Sequence, residues 1–249
     1  MTARRRRGVT PGPFIGRVLM NPSRIRDASH YAYALPALRG FASLDLHPAV
    51  TFFVGENGSG KSTLLEAIAV ANRINPEGGS RNLNFRTRDS HSDLHHALVM
   101  RRYTGLMPDA WFLRGESFYN VASAIDDTGA EEYYGGSSLH ARSHGEAFMD
   151  VVENRMDQGL YLMDEPESAL SPQRQLELLI HLRRMIDQGS QLIIATHSPI
   201  LMAYPDAAIY RFGDGGIEAV DYRETEHYLV TKTFLDNPDR MLGHLLGDR

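Results

Sequence analysis

Apolar positions in this chain follow two patterns: short continuous runs, and longer segments in which they recur every three or four residues. Leu44–Leu46 and Val50–Val54 are short runs typical of buried strands, whereas Ser62–Asn72 has the spacing of a helix. A glycine-rich segment joins the second run to that helix. The sequence therefore predicts a strand, a glycine-rich loop and a helix in succession.

A second well-patterned block fills the carboxyl-terminal half of the chain. It predicts, in order, a helix over 143–156, a strand over 160–163, a helix over 172–187, a strand over 191–195, a hairpin of strands 208–212 and 217–220, and a helical tail over 224–246. Strands that alternate with helices indicate an α/β fold of three layers around a mainly parallel sheet. We expect a smaller antiparallel β and helical subregion beside it.

The middle of the chain has weaker periodicity. Strands are predicted over 97–103 and 110–113, and a helix near 118–125. We expect one domain over 14–249, in which about 75–140 form an inserted lid or helical subregion. Residues 1–13 combine four consecutive arginines with glycine and proline, which favours a flexible basic tail, although such a tail could also touch phosphate backbones.

Composition narrows the class of protein without naming a partner. Hydrophobic residues make up 42% of the 249 positions and charged residues 23%, which is typical of an ordinary globular protein. Cysteine is absent, so disulfides and thiolate chemistry are excluded, and we expect a cytoplasmic location. The net charge of −5 argues against a surface covered with basic groups for nucleic acid, and no apolar run approaches the roughly 20 residues of a transmembrane segment.

The glycine-rich loop carries the clearest chemical pattern, G-x-x-x-x-G-K-[ST]. We call Gly55–Thr63 the phosphate loop, and its members are Gly55, Glu56, Asn57, Gly58, Ser59, Gly60, Lys61, Ser62 and Thr63. Backbone N–H groups of such a loop surround phosphates at a helix N-terminus. We expect Lys61 to contact β- and γ-phosphate oxygens and Ser62 to bind Mg²⁺. The alternative is a flexible turn.

Two later strands end in candidate catalytic groups. The run Leu160–Met163 predicts a buried strand beside the one that leads into the phosphate loop, and it ends at Asp164 and Glu165. Asp164 would bind Mg²⁺, and Glu165 would activate a water molecule. The next strand ends at His197, which we expect near the γ-phosphate or the attacking water. The alternatives are an acidic turn and a structural histidine.

The order and spacing of these motifs resemble the ABC-type ATPases. Gly55–Thr63, Leu160–Pro166, Ser168–Ser171 and Thr196–Ser198 are similar to the Walker A, Walker B, D-loop and H-switch motifs of that family. The stretches at 111–117 and 134–148 resemble small stand-alone bacterial ATPases of the AAA/ABC class. The resemblance implies Mg²⁺-dependent binding and hydrolysis of ATP, with Lys61, Glu165 and His197 in catalysis.

The family also has a signature motif, L-S-G-G-Q, that contacts nucleotide held by the opposite subunit. Ser143–Glu146 resembles it: Ser143 and Gly145 match, and His144 departs from the usual glycine. The resemblance implies an ATP-dependent homodimer in which Ser143 and Gly145 complete the partner's site. The alternative is that Ser143 is an ordinary helix cap.

One departure from the family bears on the cellular role. Transporter ATPases carry a glutamine between Walker A and the signature motif, and none occurs between Lys61 and Ser143. This weakens the hypothesis of a transporter subunit. It leaves open a nucleotide-switched binding module in DNA repair or defence, with a nucleic acid or protein partner still unidentified.

Two weaker patterns complete the sequence predictions. His91, His95 and His96 have the spacing of a metal pair, but we favour a solvated segment because no carboxylate cluster completes a site. Aromatic residues before the phosphate loop either stack on adenine or pack in the core; they are Tyr31, Tyr33 and Phe41.

Overall fold

The computed structural model describes residues 14–80, 92–103, 107–115, 118, 122–123 and 143–247. Its strands are Ile15–Met20 (β1), Ser43–Asp45 (β2), Val50–Val54 (β3), Gly79–Ser80 (β4), Leu98–Arg102 (β5), Ala110–Arg114 (β6), Leu160–Asp164 (β7), Gln191–Ala195 (β8), Ala208–Gly213 (β9) and Gly216–Ala219 (β10). Its helices are Tyr31–Ala34 (α1), Lys61–Ala71 (α2), Leu94–Ala97 (α3), His144–Arg155 (α4), Pro172–Asp187 (α5), Pro199–Met202 (α6), Glu226–Asp236 (α7) and Pro238–Leu246 (α8).

The described strands form two sheets. The larger has the order β10-β9-β3-β8-β7-β6-β4, in which β9, β3, β8, β7 and β6 are parallel and the two edge strands are antiparallel. The smaller sheet, β2-β1-β5, is antiparallel. Every residue of β3, β7 and β8 is buried, as expected of parallel strands covered on both faces. The predicted fold class is confirmed.

One prediction about strand order is wrong. The strand that ends at Asp164 does not lie beside the strand that leads into the phosphate loop, because β8 pairs with both and separates them. All three strands are short apolar runs, so their hydrophobic pattern contains no information about which pair is adjacent. The carboxyl ends of β3, β8 and β7 still meet at one edge of the sheet.

Hydrophobic core lies on both faces of the large sheet. Successive residues of β3 point to opposite faces, so Phe52 packs in the cluster that contains Leu178 of α5. Phe53 packs in a second cluster with Leu64 of α2 and Ile15 of the small sheet. The layers are thus α4 and α5, the large sheet, and α2 with the small sheet.

A buried glutamine joins the two sheets. Gln191, the first residue of β8, accepts hydrogen bonds from the backbone N–H groups of Phe14 and Ile15, each at 2.9 Å. Its amide nitrogen donates to Ile15 O at 2.8 Å and to His47 O at 3.0 Å. The side chain is fully buried and fully hydrogen-bonded, so it fixes where the small sheet rests on the large one.

The predicted helical tail is two helices. Pro238 lacks the N–H that would continue α7, and Asn237 begins α8 by accepting a hydrogen bond from Arg240 N at 3.1 Å. The other predicted elements of the two well-patterned blocks occur close to their predicted bounds.

Several predictions concern residues outside the described part of the chain. These are the basic tail over 1–13, His91, most of the helix near 118–125 and the stretch at 134–142. Within the described ranges, no helix is both long enough and apolar enough to cross a membrane.

Candidate functional site

The phosphate loop connects β3 to α2 and depends on glycine at its turns. Gly55, Gly58 and Gly60 have φ angles of 134°, 77° and 109°, a region that side-chain-bearing residues rarely adopt. A Cβ at Gly55 would lie 2.2 Å from the carbonyl oxygen of Phe212. The loop leads directly into the N-terminus of an 11-residue helix, whose free N–H groups and dipole favour a bound anion.

Lys61 folds back over this loop. Its Nζ donates to Gly55 O at 2.7 Å and to Glu56 O at 2.9 Å, and the residue is only 3% exposed. Burial lowers the pKa of Lys61, while the charges of Glu165 and Asp164 act to raise it. An ammonium group held by two neutral carbonyls is well placed to bind phosphate oxygens instead, because a charge-assisted hydrogen bond is stronger.

The two residues predicted to bind Mg²⁺ are in contact. Ser62 Oγ donates to Asp164 Oδ1 at 2.8 Å, although the residues are 102 positions apart. A hydroxyl and a carboxylate suit Mg²⁺, which takes few protein ligands and completes its shell with phosphate oxygens and water. The described residues contain no group of three His, Asp or Glu side chains that could hold a metal without a phosphate ligand.

Glu165 lies at the mouth of a cavity beside the phosphate loop. The cavity has a volume of about 270 Å³ and is lined by Tyr31, Leu35, Asn57, Gly58, Gly60, Lys61, Ser62, Thr63 and Glu165. Glu165 has a left-handed backbone, with φ 49° and ψ 54°, which costs about 1 kcal/mol or more for a residue other than glycine. Hydrogen bonds from its N–H to Ala195 O and from Ser168 Oγ to its carbonyl hold this conformation.

His197 contacts Glu165 at the end of β8. Its Nε2 lies 3.4 Å from Glu165 Oε1, and its Nδ1 lies 2.9 Å from Nε2 of His227. Burial lowers the pKa of His197, and the nearby charge of Lys61 lowers it further. The imidazole is therefore neutral at physiological pH and keeps one N–H donor.

Glu167 is a site residue that sequence analysis missed. Its carboxylate accepts a hydrogen bond from Thr196 Oγ1 at 2.8 Å and another from the backbone N–H of His197. Burial raises the pKa of Glu167, and these hydrogen bonds act against that shift. The side chain fastens the loop that carries His197 to the turn that carries Glu165, and no local pattern distinguishes it from a surface carboxylate.

Arg114 was also missed, although it ends a predicted buried strand. It is the last residue of β6, which pairs with β7, and its guanidinium donates from Nη1 to Glu66 Oε2 at 3.0 Å. Its Nε lies 3.5 Å from Asp164 Oδ2. A charged residue at the carboxyl end of a buried strand was the signal that could have identified it.

Ser143 and Gly145 lie at the start of α4. Ser143 and Glu146 form a reciprocal capping box, with Ser143 N donating to Glu146 Oε2 at 3.0 Å and Glu146 N donating to Ser143 Oγ at 3.4 Å. A Cβ at Gly145 would lie 2.7 Å from Ala169 O, so glycine allows α4 to approach the turn after Glu165. Ser143 is exposed, and its hydrogen bonds with Glu146 lie within its own helix.

The aromatic and histidine candidates differ in their surroundings. Tyr31 is 55% exposed and borders the cavity, whereas Tyr33 and Phe41 pack against the second hydrophobic cluster. His95 Nδ1 lies 3.0 Å from the carbonyl oxygen of Ser92. Of these three aromatic residues, Tyr31 is the one that lines the cavity.

Comparisons with known proteins bear on the same motifs. The family model described as "AAA domain, putative AbiEii toxin, Type IV TA system" matches residues 145–203, and a model described as "AAA domain" matches residues 37–95. The second match contains the phosphate loop, and the first contains Asp164, Glu165 and His197.

Two curated proteins are similar over most of this chain. The macrolide export ATP-binding/permease protein MacB of Hahella chejuensis is 27% identical over 206 residues, which cover 71% of this chain and 30% of that protein. The energy-coupling factor transporter ATP-binding protein EcfA2 of Methanospirillum hungatei is 26% identical over 198 residues, covering 70% of this chain and 48% of that protein. The chain therefore spans less than half the length of these relatives.

Among solved structures, the SMC head domain from Thermotoga maritima is 15% identical to this chain, with a TM-score of 0.45, and the match covers 84% of this chain and 100% of that one. The phosphate loop, the motifs after β7 and β8, the two family matches and the two curated relatives all support one class of protein. That class is the P-loop ATPases of the ABC type, to which this chain is similar.

Proposed function

We propose that the chain binds ATP with Mg²⁺ in the cavity beside the phosphate loop and hydrolyses it to ADP and phosphate. The observation that supports this best is the meeting of two residue pairs at one edge of the sheet. Ser62 contacts Asp164 at 2.8 Å, and His197 approaches Glu165 at 3.4 Å. Lys61 borders the same cavity. The cavity is thus lined by a cation for phosphate, by the hydroxyl of the Mg²⁺ ligand pair and by a carboxylate for water, and Asp164 contacts that hydroxyl.

Each side chain then has a separate task in phosphoryl transfer. Lys61 would exchange its carbonyl partners for phosphate oxygens. Ser62 and Asp164 would hold Mg²⁺, which when bound would neutralise charge on the phosphates. Glu165 orients the attacking water and accepts its proton. As the water oxygen bonds to the γ-phosphorus, the bond from that phosphorus to the bridging oxygen breaks, and His197 donates a hydrogen bond to a γ-phosphate oxygen.

The proposed complete site includes a second copy of the chain. Ser143 is exposed at the N-terminus of α4, where its hydroxyl and the first N–H groups of the helix could meet a phosphate held by the partner. This part of the proposal is supported by the match of Ser143 and Gly145 to the family's signature motif. Hydrolysis would then be coupled to association of the two copies.

Replacement of Lys61 tests the nucleotide site directly. Lys61→Ala should weaken ATP binding by about 10- to 100-fold in calorimetry, because it removes two or more charge-assisted hydrogen bonds. Lys232→Ala is a matched control, since that lysine pairs with Asp236 on the exposed face of α7. Equal ATP affinity in the two variants would contradict the assignment of the phosphate loop.

A second candidate function is a nucleotide-controlled contact with another macromolecule. The names of the two curated relatives, an export ATP-binding/permease protein and a transporter ATP-binding protein, favour a membrane transporter as that partner. The absence of glutamine between Lys61 and Ser143 favours DNA or a defence protein. DNA-stimulated turnover that falls steeply with salt would support the DNA hypothesis, and turnover independent of DNA concentration would contradict it.

A further inference from the structure

Three side chains stand in series, and the first of them, Glu165, lines the cavity. His227, in the first turn of α7, places its Nε2 2.9 Å from Nδ1 of His197, and the two rings meet edge to face with centroids 4.9 Å apart. On the other side of the same ring, His197 Nε2 lies 3.4 Å from Glu165 Oε1. His227 therefore contacts His197, the residue proposed to bind the γ-phosphate, on the side of the ring that faces away from Glu165.

The start of α7 is anchored to the segment that follows His197. Thr225 is buried; its hydroxyl donates to Tyr222 O at 2.7 Å and caps the helix by accepting from Tyr228 N at 3.4 Å. The hydroxyl of Tyr222 in turn donates to Pro199 O at 3.0 Å, two residues beyond His197. The position of His227 is thus fixed relative to His197 by contacts other than the one between the two rings.

The imidazole pair has two possible proton arrangements. Burial lowers the pKa of both histidines, and Lys61 lowers both further, so each ring carries one proton. If His197 donated from Nδ1, its Nε2 would present a lone pair to the carboxylate of Glu165, which is unfavourable at 3.4 Å. If His227 donates from Nε2, His197 keeps its proton on Nε2 and faces that carboxylate with a donor. The second arrangement pairs the two rings and leaves the His197 Nε2–H as a buried donor without a hydrogen-bond partner among the described residues.

We propose that His227 is a positioning residue: its Nε2–H donates to Nδ1 of His197 and holds His197 in the tautomer that is protonated on Nε2. That tautomer presents its N–H toward Glu165 and toward the space where the γ-phosphate would bind. The catalytic consequence rests on the proposed function, whereas the tautomer itself is a property of the nucleotide-free protein. A helix in the carboxyl-terminal region thereby acts on the proposed reaction without touching the nucleotide.

Nitrogen NMR of the histidine side chains tests the tautomer without nucleotide. In the natural chain, His197 should show a protonated Nε2 and an unprotonated Nδ1. His227→Leu should shift His197 toward a mixture of tautomers. His227→Gln should restore the Nε2–H form, because its amide nitrogen can donate from a similar position. A protonated Nδ1 on His197 in the natural chain would overturn the proposal.

Turnover measurements test the consequence. His227→Leu should lower kcat by about 10-fold or more, with ATP affinity unchanged within about 2-fold, since partners that orient a functional histidine have effects of this size. His227→Gln should recover most of the loss, and His244→Leu, an exposed histidine of α8, should have no effect. Full activity in His227→Leu would refute a positioning role.

These experiments separate the inference from the proposed function. If the natural chain hydrolysed no ATP, the proposed function would fail, but the NMR result would still decide the tautomer. If His197→Ala kept full turnover while the NMR result was as expected, the role of His197 would fail and the hydrogen bond from His227 would stand. Thermal unfolding of each variant shows whether it is folded.

Discussion

At the residue scale, Arg114 has a role that comes from its position and not from a motif. Its guanidinium lies between Glu66 of α2 and Asp164 of β7, at 3.0 Å and 3.5 Å. All three side chains are less than a quarter exposed. The arginine therefore ties the helix after the phosphate loop to the strand that carries the proposed Mg²⁺ ligand, in a region where glutamine is absent.

Removal of the Arg114 guanidinium should destabilise the fold. Arg114→Met leaves two partly buried carboxylates without their cation, so we expect the free energy of unfolding to fall by about 1–3 kcal/mol, less than for a fully buried pair. In a Glu66→Gln background the loss should be smaller by about 1 kcal/mol. Urea denaturation measures the loss of unfolding free energy in each background.

The control for Arg114 is an arginine in an exposed ion pair. Arg183 pairs with Asp187 one helical turn away, and both side chains are more than half exposed. Arg183→Met should change stability little, because solvent screens such pairs. Equal losses of unfolding free energy in Arg114→Met and Arg183→Met would contradict a stabilising role for the contacts of Arg114 with Glu66 and Asp164.

At the element scale, the position of β8 organises the site. Because β8 pairs with β3 on one side and β7 on the other, it brings His197 between the phosphate loop and Glu165. Glu167 reinforces this arrangement by binding the backbone and side chain of the loop after β8. The start of the same strand, at Gln191, anchors the small sheet.

Replacement of Gln191 should separate the two sheets locally. Gln191→Leu keeps a similar volume but removes partners from two buried N–H groups and two carbonyls, and we expect a loss of about 2–4 kcal/mol in unfolding free energy. Gln188→Leu, at the exposed end of α5, should change it by less than about 0.5 kcal/mol. Chemical denaturation that gives similar values for both would contradict the bridging role.

At the scale of the whole molecule, the proposed site is divided between the phosphate loop and the start of α4. Gly145 allows α4 to approach the turn of residues 166–169. Ser143, which immediately precedes α4, is exposed. The capping box shows that Ser143 also stabilises its own helix. A test of dimerisation must therefore keep the cap and change only what a partner would meet.

Two variants test dimerisation without removing the helix cap. Glu165→Gln should slow hydrolysis and accumulate an ATP-bound dimer in sedimentation with Mg²⁺. Adding Ser143→Asp keeps a good N-cap but places a negative charge against the partner's phosphates, so this double variant should remain monomeric. A monomeric Glu165→Gln variant, or a double variant that dimerises equally well, would contradict the composite site.

The sequence alone determined the local parts of this protein. Val50–Val54 and Gln191–Ala195 could be predicted as strands because they are short, mainly apolar runs without helical spacing, and the phosphate loop could be predicted from its G-x-x-x-x-G-K-[ST] pattern. The sequence also predicted Asp164 at the phosphate end of the sheet, because parallel strands present their carboxyl ends at one edge, and the structure places it 2.8 Å from Ser62 Oγ.

The tertiary structure decided what depends on packing between distant segments. The sequence could not place β8 between β3 and β7, because similar apolar runs pair equally well in several orders. Glu167 and His227 have no local signature, and the signal at Arg114 is weak because a charged residue at the end of a strand is usually solvated. They join the site because strand order and the anchoring of α7 bring together side chains that lie 30 or more residues apart.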